Sequence, residues 1–444
     1  MYLLGDRSMA SRNRSREIYE KYDKLTPGGV HSNIRFFDPF PIYFSRAKGA
    51  RVWDVDGNEY IDCVINMAGL ILGHGDSTVV EAVKAQVETG LTCGVDSELS
   101  FRVSEMLTEM IPCAECVRLS NTGTEAVMKA IMLARAFSGR DSIMKLEGGY
   151  NGWYDCSMVS VKPDPRKAGP RSTPKSIPEV SGLLWNSVKH TIVMPFNDLH
   201  SSEKLIKRNR RRLAAVIVEP IMFNVGCALP KEGYLKGLKE IAEANDVLLI
   251  FDEVISGFRV APGGAQEYYG VKPDLATFAK AIANGFPLAA VAGREDIMRM
   301  SAPGSKTGYA GVYNGSHVSL AAASATLEQL KDGHVQNYLN KTTEELARGF
   351  ETITEELGVR ARLQGLGGQF QVYFTDHDVT DFRSAMTSDV ALFRSFHRSM
   401  LSQGFYFLPL QLFHHGITYA HQKTEIDAIL KAMRTSLERV EAST

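Results

Sequence analysis

The feature that most constrains this chain is an alternation of strand-like apolar runs with helix-period segments, repeated from about residue 117 to residue 278. The runs at 214–218 and 247–251 are apolar at every position, so both faces of each strand must be covered. Shorter strand-like runs occur at 117–119 and 142–146, and helical patterns at 125–137 and 234–244 fall between the runs and supply the cover. Such a pattern predicts parallel strands with helices on both faces, an α/β domain. From about residue 330 the pattern changes to long amphipathic helices around residues 358–374. The reading is therefore an N-terminal arm with part of a small domain (1–60), a large α/β domain with a mostly parallel sheet (61–330), and a C-terminal small α+β domain (331–444). The small domain is expected to be built from both termini.

Residues 162–189 interrupt the alternation with Pro163, Pro165, Pro170, Pro174 and Pro178 and show no period. Loops of this length are lids, binding loops or insertions, and a mobile flap and a passive surface insertion both fit. Composition narrows the class further. The chain has 444 residues, 44% hydrophobic and 23% charged, which argues against disorder, and no apolar run approaches the ~20 residues of a membrane span. A net charge of −1 gives no field favouring nucleic acid or an anionic membrane. The basic run Lys207-Arg208-Asn209-Arg210-Arg211-Arg212 reads as a solvated helix end, where cations meet the negative pole of the helix dipole. The N-terminus carries Asp6, Glu17 and Glu20 and no continuous apolar core, so a cytoplasmic address is expected. Cysteines at 63, 93, 113, 116, 156 and 227 form no disulfide framework, and Cys113-Ala-Glu-Cys116 lacks a second pair or a nearby His, so no metal is expected.

Three segments carry chemistry. The run at 247–251 ends in Asp252 and Glu253, at the strand end where open parallel sheets bind ligands. Lys280 ends a second apolar stretch, just before Ala283-Asn284-Gly285. Asn121-Thr122-Gly123-Thr124-Glu125-Ala126 turns from strand to helix, with Thr122 as N-cap and Glu125 at the capping-box position. A helix N-terminus of this kind presents free N–H groups to a phosphate, with the Thr124 hydroxyl beside them. A phosphate cradle, a carboxylate and a lysine are the three groups that pyridoxal 5′-phosphate (PLP) chemistry requires: an imine with the lysine, a protonated pyridine nitrogen and an anchored phosphate. No Gly-x-Gly-x-x-Gly follows the first strand, which excludes a Rossmann dehydrogenase.

With these motifs in order, the chain resembles the class III aminotransferases of PLP fold type I. The resemblance adds Glu147-Gly148-Gly149-Tyr150-Asn151-Gly152, Val218-Glu219-Pro220 and Asp252-Glu253-Val254-Ile255-Ser256-Gly257-Phe258-Arg259. Within the family it is similar to glutamate-1-semialdehyde aminomutases and β-amino-acid aminotransferases, through Pro27-Gly28-Gly29-Val30-His31-Ser32 with Arg35, Leu72-Gly73-His74, and Gly263-Gly264-Ala265-Gln266. It implies Lys280 as the Schiff-base lysine and general base, Asp252 at the ring nitrogen, and Tyr150 and Val254 on the two ring faces. Glu219 would lie near the ring hydroxyl or support Asp252, Thr122, Gly123 and Thr124 would hold the phosphate, and Arg35 with Ser32 would take a substrate carboxylate. A homodimer with the active site at its interface is also implied.

Three departures from the family pattern stand out. Asn151 replaces the usual His after the tyrosine, leaving a hydrogen-bonding amide beside the ring. Val312 stands where a threonine usually reaches the neighbouring subunit's phosphate, so Tyr313, Asn314 or backbone must take over that contact. Phe413, within Gln411-Leu412-Phe413-His414-His415, falls where the aminomutases tend to carry an acidic residue. On this last ground the sequence is read first as an aminotransferase moving an amino group from an amino acid or amine donor to a keto acid, aldehyde or keto-sugar acceptor. A 2,1-aminomutase or PLP racemase is the alternative, and a non-catalytic PLP-binding protein the rival of a different class. Phe36, Phe37, Phe40 and Tyr43 around Arg35 suit either an apolar substrate pocket or core packing.

Overall fold

The computed structural model describes residues 12–91, 94–305 and 307–441; the first eleven residues and Cys93, both used in the reading above, lie outside the described residues. An antiparallel group opens the chain: β1 (Phe44–Lys48), β2 (Arg51–Asp54) and β3 (Glu59–Asp62). The strands of the central sheet follow as β4 (Cys116–Ser120), β5 (Ser142–Leu146), β6 (Thr191–Met194), β7 (Leu213–Val218), β8 (Leu248–Glu253), β9 (Leu275–Phe278) and β10 (Ala289–Gly293). Their spatial order is β4-β10-β9-β8-β7-β5-β6. Neighbours pair in parallel except around β10, which is antiparallel to both β4 and β9.

Every residue of β5, β7, β8, β9 and β10 is buried, as the unbroken apolar runs require for a sheet covered on both faces. The helix Gly123–Ser138 supplies part of that cover, laying Ala126, Ala130, Ile131 and Ala134 against the sheet. Small alanines on that stripe let helix and sheet approach closely. Two strands, β6 and β10, were not anticipated. Short Thr191–Met194 and small-residue Ala289–Gly293 show little local pattern and gain their strand pairing from neighbours already in place.

After residue 330 the helices His334–Leu357, Val390–Ser402 and Lys423–Glu441 pack with β11 (Arg362–Leu366), β12 (Gln369–Tyr373) and β14 (His415–Gly416), which form a three-stranded antiparallel sheet. The short β13 (Phe405–Tyr406) leaves that group and pairs in parallel with β3, opposite Ile61 and Asp62. The small α+β part is thus assembled from both ends of the chain. The proline-rich segment is folded back rather than structureless: Val159 bridges Pro178, Arg383 donates to the carbonyls of Pro165 and Gly169, and Arg171 pairs with Asp381.

Candidate active site

Strand alternation separates the two carboxylates at the end of β8. Both belong to the strand itself, so their side chains leave on opposite faces. Glu253 faces inward, where it accepts from Ser256, from the backbone N–H groups of Ala265 and Gln266, and from the Gln266 amide. Its bonds are spent on a structural knot. Asp252 faces a cavity at the C-terminal end of the sheet. Its Oδ2 accepts from Asn151 Nδ2 at 2.8 Å, and its Oδ1 from the Val254 N–H at 3.2 Å and Thr277 Oγ1 at 3.3 Å. Burial pushes the Asp252 carboxyl up, and these three donors oppose the shift. A cationic partner in the cavity would oppose the shift further, as the Lys280 amine already does.

Lys280 lies one strand away, just past β9, with φ +52°. It lines the same cavity, and no hydrogen bond engages its amine among the described residues. Burial lowers its pKa to about 8, with Glu219 and Asp252 acting upward and the Arg259 guanidinium downward. Such an amine is substantially neutral near pH 8 and available as a nucleophile. Glu219, at the end of β7, is pushed up to about 7 by burial and by Asp252. Its Oε1 accepts the Tyr150 N–H at 2.9 Å and its Oε2 the Asn224 amide at 2.9 Å.

The opposite end of the cavity is the N-terminus of the helix Gly123–Ser138. Thr122 Oγ1 caps the Glu125 N–H at 3.2 Å, while the Glu125 carboxylate turns back to the Asn121 N–H and amide rather than to Thr122. The N–H groups of Gly123 and Thr124 have no acceptor among the described residues. Glycine is needed on both sides of this turn. A Cβ on Gly123 would stand 3.0 Å from both Val254 methyls, and one on Gly152 would stand 2.8 Å from the Thr124 backbone. Thr124 Oγ1 accepts the Trp153 N–H at 3.1 Å, which leaves its own proton free to donate. Tyr150 and Val254 also line the cavity, on the segments that flank it.

The residues expected to act together fall into two groups. Lys280, Asp252, Tyr150, Glu219, Val254, Thr122, Gly123 and Thr124 share one cavity, and Asn151 touches it through Asp252. The others are not brought there. Arg35 is exposed on a single turn of the arm and Ser32 lies three residues before it. Tyr313 is 65% exposed and Val312 78%, and Asn314 Oδ1 accepts from Asn121 at 3.1 Å. Phe37 and Phe40 are buried, Phe37 among Val64, Leu408 and Phe413 and Phe40 stacked on Tyr19. Thr277, Asn224 and Phe223 belong to the site without having been expected there; their only sequence signal is nearness to β9 and to Glu219. Cys113 and Cys116 are free thiols.

An amine for an aldehyde, a carboxylate for a ring nitrogen and an N–H cradle for a phosphate, converging on one cavity at the strand ends, fit PLP and define a PLP-dependent enzyme of the large α/β type. The chain belongs to the aminotransferase class-III family, whose model matches residues 35–436. It is 39% identical to the glutamate-1-semialdehyde 2,1-aminomutase of Methanocaldococcus jannaschii, over 97% of this chain and 99% of that one. The enzyme of the same name from Methanothermobacter thermautotrophicus is 40% identical over 94% of this chain and 97% of its own length. Among solved structures, an omega-transaminase from Sphaerobacter thermophilus superposes with a TM-score of 0.91 at 32% identity, covering 96% of this chain and 98% of that chain. PLP is the cofactor, and the chemistry is transfer of an amino group through a lysine Schiff base. Among the described residues no helix is long and apolar enough to cross a membrane.

Proposed function

We propose that this enzyme is a 2,1-aminomutase, moving an amino group between adjacent carbons of one substrate of the glutamate-1-semialdehyde type. One observation carries this reading: relatives bearing that name match almost end to end at 39–40% identity. It reverses the order suggested by Phe413, which put transfer between two molecules first. The second reading, a transaminase, keeps the support of Phe413 and of the likeness to the Sphaerobacter omega-transaminase. Holoenzyme given glutamate-1-semialdehyde alone decides between them. A mutase converts it to the isomer with the amine on C1 and the ketone on C2, with no second carbonyl compound present. Turnover only after a keto acid or aldehyde is added would reject the mutase.

Bound PLP supplies the electron sink for a carbanion next to nitrogen. In our reading, Asp252 keeps the ring nitrogen protonated, and Tyr150 and Val254 hold the ring between them. The Gly123 and Thr124 N–H groups and the Thr124 hydroxyl take the phosphate. Lys280 Nζ would serve as the general base that moves the proton at the substrate carbon. Arg35, with Ser32, orients the substrate carboxylate. We also assign the protein to the cytoplasm and to a homodimer. Exposed Val95, Phe101 and Val312 border one open depression and offer an apolar face for a second copy, with Tyr313 and Asn314 beside it. The division into 1–60, 61–330 and 331–444 is retained as a proposal.

A further inference from the structure

Lys145 occupies the fourth position of β5, a strand buried at all five residues. Its side chain is wholly sequestered and no carboxylate pairs with it. Instead Nζ donates to the carbonyls of Gly149 at 2.7 Å, Val159 at 2.8 Å and Leu146 at 3.3 Å. Three donors meet three acceptors, which fills the hydrogen-bonding capacity of the ammonium. A buried cation without a counterion is still costly, and an apolar residue would suit the strand better. What distinguishes the lysine is the set of carbonyls it holds.

The Gly149 carbonyl is one edge of the peptide unit joining Gly149 to Tyr150. The other edge, the Tyr150 N–H, donates to Glu219 Oε1 at 2.9 Å. One peptide plane is therefore gripped from both sides by buried side chains, a lysine at its carbonyl and a carboxyl at its N–H. A peptide unit is rigid and planar, so fixing both edges fixes the direction in which the chain enters the next residues. Those residues are Tyr150, which lines the cavity, and Asn151, which donates to Asp252. The grip has work to do here, because Gly148 and Gly149 precede it and Gly148 adopts φ +83°, a stretch with little conformational restriction of its own.

We propose that Lys145 and Glu219 act as one positioning pair, setting the tilt of the Tyr150 ring and the reach of Asn151 to Asp252 by clamping the Gly149–Tyr150 peptide. The proposal rests on this cavity being the PLP site, and it makes Lys145 a residue that acts on the cofactor without touching it. The test uses holoenzyme reconstituted with PLP for wild type, Lys145→Met, Glu219→Leu and the double variant. It reads the circular dichroism of the visible cofactor band, which reports the asymmetry around the ring, and the PLP dissociation constant. Lys145→Met is expected to diminish the dichroism and weaken PLP binding about tenfold. The double variant should lose less than the product of the two single effects, because a plane released at one edge is already free; Glu219 keeps its own direct share of the loss, since it also lines the cavity. Unchanged dichroism and affinity in Lys145→Met, whatever its melting temperature, would overturn the pair, as would effects that simply multiply. If Lys145→Met does not fold, Lys145→Gln, whose amide has too few donors for all three carbonyls, decides alone: reduced dichroism at an unchanged melting temperature supports the clamp, and wild-type dichroism rejects it. Failure of the underlying site assignment looks different, as a wild-type protein forming no visible band with PLP or a Lys280→Ala variant that keeps one.

Discussion

The cofactor side of the site and the substrate side are built in different ways. Around Asp252, Glu219 and Lys145 nearly every polar atom has a partner from a different strand or loop, and the geometry is over-determined within one chain. Around Arg35, Val312 and Tyr313 the side chains are exposed and touch none of the cavity residues. In our reading the contrast means that holding the cofactor is a property of the sheet, whereas choosing the substrate is left to the arm and to a second copy. Substitutions on the first side should damage chemistry; those on the second should change binding alone.

The largest expected effect is at Lys280. Lys280→Ala should lower turnover by roughly 10⁴-fold or more and abolish the visible PLP band, read by stopped assay and absorbance. Retention of the band would move the Schiff base to another lysine and dissolve the cofactor side as drawn. Asp252→Asn should keep the fold and the band while slowing the proton-transfer step by about 10²–10³-fold, measured in a single half-reaction. Near-normal rates there would mean that the ring nitrogen needs no anionic partner.

Lys280 also carries a pH signature. Only the neutral amine attacks an aldehyde, so uptake of PLP by apoenzyme should rise about tenfold per pH unit below the amine's pKa and flatten above it. Burial sets that plateau near 8 instead of at the ordinary lysine value of 10.5. A rate still climbing at pH 9.5 would show that the amine is not desolvated. On the substrate side, Arg35→Met should raise KM for a carboxylate substrate roughly tenfold and leave kcat and PLP affinity alone. A fall in kcat alone would bring Arg35 into the cofactor side. The smallest effect belongs to Val312→Thr. If the cross-subunit hydrogen bond is simply missing, PLP binding should tighten several-fold, by about 1 kcal/mol; if Tyr313, Asn314 or backbone has replaced it, titration should show no change.

The two sides were unequally legible in the sequence. Asp252, Lys280 and the turn at 121–126 stood out because each ends an apolar run, and strand ends are where such a sheet binds ligands. Legibility failed where meaning depends on a partner far along the chain. Asp252 and Glu253 look equivalent until alternation assigns one to the cavity and the other to the Gly264–Gln266 turn. Thr277 reads as an ordinary strand residue until register sets it beside Asp252. Lys145 reads as a blemish in an apolar strand until its three carbonyls are known. The proline-rich segment has no local period because what shapes it, Asp381 and Arg383, arrives from the C-terminal region. Arg35 was recognisable by type and resemblance, yet nothing in its neighbourhood fixes where it points.

The pairing of β13 with β3 bears on how the enzyme comes into being. Ile61 and Asp62 leave the ribosome early, and the strand that pairs with them, Phe405–Tyr406, is synthesised near the end. Until then that flank of the N-terminal sheet shows bare N–H and C=O groups to the cell, a template for unwanted association. The arm waits as well, since Phe37 packs on Tyr406 and Leu408. The central sheet needs none of this and has every strand in hand once residue 293 has emerged. A nascent chain can therefore complete the fold that receives PLP while the part carrying Arg35 is still unsupported. In our reading, discrimination among substrates is therefore acquired after the fold that receives the cofactor.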